Sequence, residues 1–167
     1  MSKDKYCKFQ VQFNFLNMKS LFETEAHKEI LNRINKLKAD SKPLWGKMNV
    51  SQMIKHCHGP IEVAMGTKQL NVNLGFMKKL IFKLFKSSLY NDKPWKKGIP
   101  TAPEYVVRDD PEFKTEKGKL VELINEFHSL KNKTNWVTHP LFGDFTAEQW
   151  GQAQYKHLDH HLRQFGV

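Results

Sequence analysis

Near its C-terminal end the chain reads Thr146-Ala-Glu-Gln-Trp150-Gly-Gln-Ala-Gln-Tyr-Lys-His157-Leu-Asp-His-His161-Leu-Arg-Gln164. Thr146 is a good N-cap, with Glu148 and Gln149 close to the position that completes a capping box. Each helical residue advances about 100°, which sorts the segment into faces. Ala147, Trp150, Leu158, His161, Leu162 and Phe165 share one broad side, and Lys156, Asp159 and Arg163 share the other. His161 lies within the apolar side, His157 lies on its edge one turn earlier, and His160 points toward the polar side. Histidines at i and i+4 project side by side, the spacing by which one helix offers two imidazole nitrogens to one ion. The blander reading is a pair of boundary histidines bonded to backbone or water.

A third ligand is expected from a facing helix, because an open metal site in a bundle draws three protein ligands from several helices. Asn49 or Ser51 can cap a second helix that runs through Met53, Ile54 and Cys57 toward Met65-Gly66. It offers His56 and His58, about 200° apart on the helix wheel, so at most one can face a common centre. Both lie at similar angles from the stripe of Val50, Met53, Cys57, Ile61 and Ala64, and periodicity leaves the choice open. Pro60 predicts a kink or an early stop.

Further out, Phe22, Ala26, Ile30, Ile34 and Leu37 mark a first amphipathic helix from Phe22 to Ala39, ended by Asp40-Ser-Lys-Pro43. Residues 73–89 form an extra helical segment, basic on one side and apolar on the other. Such segments can lie on membranes; packing of the apolar side on the core is the commoner arrangement. Residues 91–113 hold four prolines and form a long irregular connection of a kind that often carries function. A fourth helix is expected from Thr115 to Leu130, with Leu120, Val121, Leu123, Ile124 and Phe127 buried. Apolar side chains alternate from Cys7 to Phe15, the period of a strand, giving a short N-terminal strand or arm over 1–17 ahead of a helical domain over 18–167. His27 reads as solvated, His128 as a helix-end residue and His139 as part of a turn.

A chain of 167 residues, 40% hydrophobic, fits one domain with one core. No apolar run reaches the ~20 residues that span a bilayer, and no signal peptide is evident. Two cysteines without paired spacing argue against a disulfide framework and for a reducing cytoplasm. The net charge of +10 suits a polyanion or an anionic surface. Because the lysines are spread through every segment and no nucleic-acid motif accompanies them, a nucleic-acid role is not expected.

Three stretches carry a family resemblance: Trp45-Gly-Lys-Met-Asn-Val-Ser-Gln-Met-Ile-Lys-His56, His139-Pro-Leu-Phe-Gly143, and Gln149-Trp150 through His157-Leu-Asp-His-His161-Leu-Arg-Gln164-Phe-Gly. Over roughly residues 20–166 the chain resembles the DinB-like (YfiT-like) superfamily, and more closely a branch known as a domain of unknown function. The resemblance implies an all-α four-helix bundle with an up-down-down-up arrangement. It also implies a divalent metal held by three histidines, one on the second helix and two on the last. Position by position these are His56, His157 and His161, which decides against His58. Pro60 and the arm have no counterpart in the resemblance.

Relatives in the superfamily are similar to thiol-dependent transferases and isomerases, and others to metal-dependent hydrolases. The expected function is therefore a metal-dependent enzyme in which zinc, nickel or iron activates water or a small thiol. A small-molecule substrate is the expected partner, and a homodimer stays open. No carboxylate is placed obviously as a general base: Asp159 is on the wrong face, and Glu62 is one candidate. Gln164 either supports His161 or packs, and packing is preferred. The rivals are a non-catalytic helical module stabilised by metal and a basic surface-binding protein using residues 73–97.

Overall fold

Two capping boxes start the helices that matter most. Asn49 accepts from Gln52 N at 2.8 Å while Gln52 Oε1 accepts from Asn49 N, opening a helix over Val50–Met65. Thr146 and Gln149 make the same reciprocal pair ahead of a helix over Ala147–Gln164. The computed structural model describes residues 18–70 and 75–167. In chain order its α-helices are α1 (Thr24–Lys36), α2 (Val50–Met65), α3 (Phe76–Phe85), α4 (Phe113–Ser129) and α5 (Ala147–Gln164), with 3-10 turns at Lys86–Leu89, Pro103–Tyr105 and Leu130–Asn132. Among the described residues there is no β-strand, and none of these helices is long and apolar enough to cross a membrane. The strand expected over residues 7–15 lies outside the described residues.

α1 packs on α4 and α5, and α2 packs on the same two, so four helices surround one core. The 3.6-residue period supplies that core: Ile30 and Ile34 from α1, Ile54 and Ile61 from α2, Leu120, Ile124 and Phe127 from α4, Trp150, Leu158 and Leu162 from α5, all but inaccessible. Each such side chain contributes about 1.5–3 kcal/mol over an exposed one. Arg33 ties α1 to the chain end, with Nη1 on Asp159 Oδ1 at 2.7 Å and Nη2 on the Val167 carbonyl at 2.9 Å.

Three expectations change. Pro60 does not stop α2, which continues to Met65. The residue before a proline is normally kept out of the helical region by its Cβ, and here that residue is Gly59, which has none. The same missing Cβ admits the Tyr105 ring, since a Cβ on Gly59 would lie 2.6 Å from Tyr105 Cδ1. Second, the apolar side of α3 is not packed into the core: Leu80, Ile81, Leu84 and Phe85 are all exposed. Phe82 instead meets Phe142 edge-on at 5.6 Å, and α3 continues straight into the 3-10 turn at Lys86–Leu89. Third, Lys156 is buried. The segment after α3 folds over that side of α5, and Lys156 Nζ donates to the carbonyls of Ser88 and Asn91 and to Asn91 Oδ1 at 2.6–2.9 Å. Burial pulls its pKa down to about 8.

Candidate metal centre

α2 and α5 face each other across the bundle, and their histidines meet there. One ring nitrogen from each of His56, His157 and His161 lies within 4.8 Å of the other two, and all three residues are buried. His56 Nε2 and His157 Nε2 are 3.1 Å apart. Nitrogens sharing a tetrahedral zinc at about 2.0–2.1 Å stand roughly 3.3 Å from one another, so this pair has the spacing of ligands to one ion.

The outer nitrogens define the tautomers. His56 Nδ1 lies 2.9 Å from the Tyr105 carbonyl, which can only accept, so Nδ1 carries the proton and Nε2 keeps its lone pair. His161 Nδ1 lies 2.9 Å from Gln164 Oε1, and the Gln164 amide is oriented by Nε2 donating to the Trp45 carbonyl at 2.7 Å. His161 Nε2 is therefore also a free donor atom for a metal. His157 differs, because its buried Nδ1 meets no protein partner among the described residues.

Electrostatics favour uncharged rings. Burial lowers the pKa of His56; it lowers His161 to about 3, with the adjacent His56 adding to the effect. His157 is pushed well below the usual imidazole range by burial and by His161, His56 and His160 around it. Neutral imidazole is the form that ligates, so three such rings converging in a buried place fit a divalent cation.

The local sequence explains how the outer groups arrive. The turn after α1 brings Trp45 O onto Gln164, and Gly46 takes φ +85° there, with Gln164 Nε2 only 2.5 Å from where a Cβ would sit. The long connection after α3 supplies Tyr105 O through its 3-10 turn and Trp95, whose ring lies 6.0 Å from that of His157.

His58 takes the opposite side of α2, with Nε2 3.0 Å from the Glu116 carbonyl and Nδ1 3.5 Å from Glu116 Oε2 on α4. His139 accepts from the backbone N–H groups of Leu141 and Phe142 through Nδ1, and packs on Phe145 and Trp150. His27 is not simply solvated: its ring stacks on His128 at 4.1 Å and its Nε2 meets Asn125 Oδ1. His128 Nδ1 donates to the Leu21 carbonyl.

A cavity of about 1090 Å³ opens from the three histidines. Trp45, Met48, Trp95, Phe142 and Trp150 form much of its wall, together with α3 through Ile81, Phe82 and Phe85. No aspartate or glutamate lines it among the described residues. Glu62 pairs instead with Lys68 at 3.7 Å, and Asp159 is held by Arg33 and Arg163. His160 joins the three in the wall, as do His139, Tyr105 and several lysines, and it is the one set against the triad's own helix turn, half-buried between the rings of Trp45 and Trp95 at 5.9 and 5.5 Å. Sequence reasoning placed His160 toward the polar side. Its i+3 relation to His157, like that of Gln164 to His161, was the signal that both belong on this face.

No curated protein and no solved structure matches the chain. Residues 17–166 match the family described as a protein of unknown function (DUF1569), and the chain belongs to that family.

Proposed function

We propose that this chain is a metal-dependent enzyme of the DinB-like type. On this reading residues 18–167 form an up-down-down-up bundle domain, residues 1–17 an arm, and His56, His157 and His161 hold one divalent cation. The observation that carries the proposal is the meeting of three buried imidazoles, two of them with their outer N–H groups already committed to a carbonyl and an amide oxygen. Hydrogen bonds of that kind are what orient and sharpen metal-binding histidines.

A cation so held supplies Lewis acidity toward water or a small thiol. The chain's own residues do the rest. Tyr105 O and Gln164 Oε1 hold the protons on the outer nitrogens of His56 and His161, which keeps the inner nitrogens free to bind. The apolar walls exclude water and accept a small molecule with a mainly apolar body. With no carboxylate in the wall, His160 is the group beside the triad able to accept a proton from an incoming nucleophile. Hydrolase and thiol-transferase chemistry both fit these parts.

Elemental analysis of protein purified without an affinity tag tests the metal. About one divalent ion per chain is expected, and it should disappear in His157→Ala, His161→Ala. Metal content that ignores the double substitution overturns the proposal. Turnover of ester substrates and of electrophiles in the presence of small thiols tests catalysis. A His161→Ala variant that loses melting temperature, with no turnover by the loaded wild type on either class, assigns the metal to stability alone.

A further inference from the structure

The stretch from Leu80 to Phe85 is built inside out for a free-standing globule. Leu80, Ile81, Leu84 and Phe85 on α3 are 47%, 50%, 75% and 62% exposed, and Ile99 adds a further exposed apolar side chain at 55%. The other side of the helix turns toward the protein, where Lys83 and Lys86 line a depression against residues 138–144 and Lys86 Nζ donates to the Asp144 carbonyl. Lys93, Lys96 and Lys97 follow, all exposed. In sequence, residues 75–100 carry seven lysines against a single acid, Asp92.

An apolar strip directed away from the body, with cations beside and behind it, is the arrangement of a helix that lies in a membrane interface. Such a helix buries its apolar side about 5–10 Å into the boundary of headgroups and acyl chains while lysines reach anionic headgroups. A second copy of the chain fits the strip poorly, since a self-complementary contact would bring exposed lysines such as Lys93, Lys96 and Lys97 near their own copies with only Asp92 among them to match. A nucleic acid would engage the lysines and leave the apolar strip in water.

We infer that the apolar side of α3 docks this protein on an anionic lipid bilayer. Ile81 and Phe85 belong both to the exposed strip and to the wall of the histidine cavity, so docking places the cavity mouth beside the lipid surface. An apolar compound can then pass from the acyl-chain boundary to the histidines along a continuous apolar wall. Docking itself requires neither metal nor turnover.

The test is co-sedimentation of the full chain with vesicles of mixed phosphatidylglycerol and phosphatidylcholine, and with vesicles of phosphatidylcholine alone. The wild type should partition onto the anionic vesicles and far more weakly onto the neutral ones. Raising the salt should weaken the anionic partition. Leu84→Glu, Phe85→Glu should weaken it about 100-fold or more, through lost apolar burial and added repulsion. Lys93→Gln, Lys96→Gln should weaken it about 30-fold. All four positions are exposed, and unchanged far-ultraviolet circular dichroism verifies folding. Equal partition onto the two vesicle types overturns the inference, as does wild-type partition by the Leu84→Glu, Phe85→Glu variant. It is equally overturned if, without lipid, the wild type sediments as a dimer that this variant breaks, because a second copy then covers the strip.

Discussion

Replacing Gln164 by leucine removes both hydrogen bonds of one amide in a place that stays filled, and so isolates what that amide does for the histidines. Gln164 Oε1 accepts from His161 Nδ1–H at 2.9 Å and Nε2 donates to the Trp45 carbonyl at 2.7 Å. Loss of the acceptor frees the His161 ring to turn and lowers the basicity of its inner nitrogen. Removal of such an outer partner typically costs 10–100-fold in metal affinity. The two orphaned groups cost about 2 kcal/mol in stability together, or about 4–8 °C in a chain of this length. Competition for zinc against a chromophoric chelator reads the first effect, and calorimetry reads the second. Gln164→Glu separates them: a carboxylate still accepts from His161 but cannot donate to Trp45 O. Its zinc affinity should stay close to that of the wild type while its melting temperature falls. Zinc affinity unchanged in Gln164→Leu refutes the reasoning, because His161 would then need no support from this amide.

Gly59→Ala sets a Cβ 2.6 Å from the Tyr105 ring and should cost about 1–3 kcal/mol by overpacking, seen as a lower denaturant midpoint. Zinc at about 100 times its dissociation constant should stabilise the wild type by about 2.7 kcal/mol, reversibly with chelator, and should leave His157→Ala, His161→Ala unmoved. Burial takes His139 from the ordinary 6.5 to about 4, so the unfolded chain takes up this proton first. The stability linked to it is complete above pH 6.5 and is lost as pH falls toward 4, by at most about 3 kcal/mol. His139→Asn keeps an acceptor for the Leu141 and Phe142 N–H groups and should make the fall in unfolding free energy over that window shallower, the other buried histidines supplying the rest.

The exposed strip on α3 and the buried Lys156 show where periodicity stops being informative. A period of 3.6 says that a helix has an apolar side, and it says so correctly for α1 and α4, whose buried residues follow it, whereas α2 and α5 are buried on nearly every side. It does not say what that side meets. For α3 the apolar side meets no core, and for α5 the side carrying Lys156 is covered by a segment some seventy residues earlier in the chain.

The sequence by itself determined the local events: the capping box at Thr146, a cap for the second helix at Asn49 or Ser51, the run of the amphipathic helices, and the side-by-side projection of His157 and His161. Each depends on backbone geometry within one or two turns, where spacing and residue type suffice. Periodicity left His56 and His58 equivalent and the family resemblance favoured His56; tertiary structure turns His56 toward α5 and His58 toward Glu116, and it alone decided that Gly59 lets the helix pass Pro60 beneath the Tyr105 ring and that Tyr105 O and Gln164 hold the outer nitrogens. Two residues about 200° apart on one helix are equivalent until a neighbour covers one side. That neighbour comes from distant sequence, through burial and hydrogen bonds that no local pattern encodes.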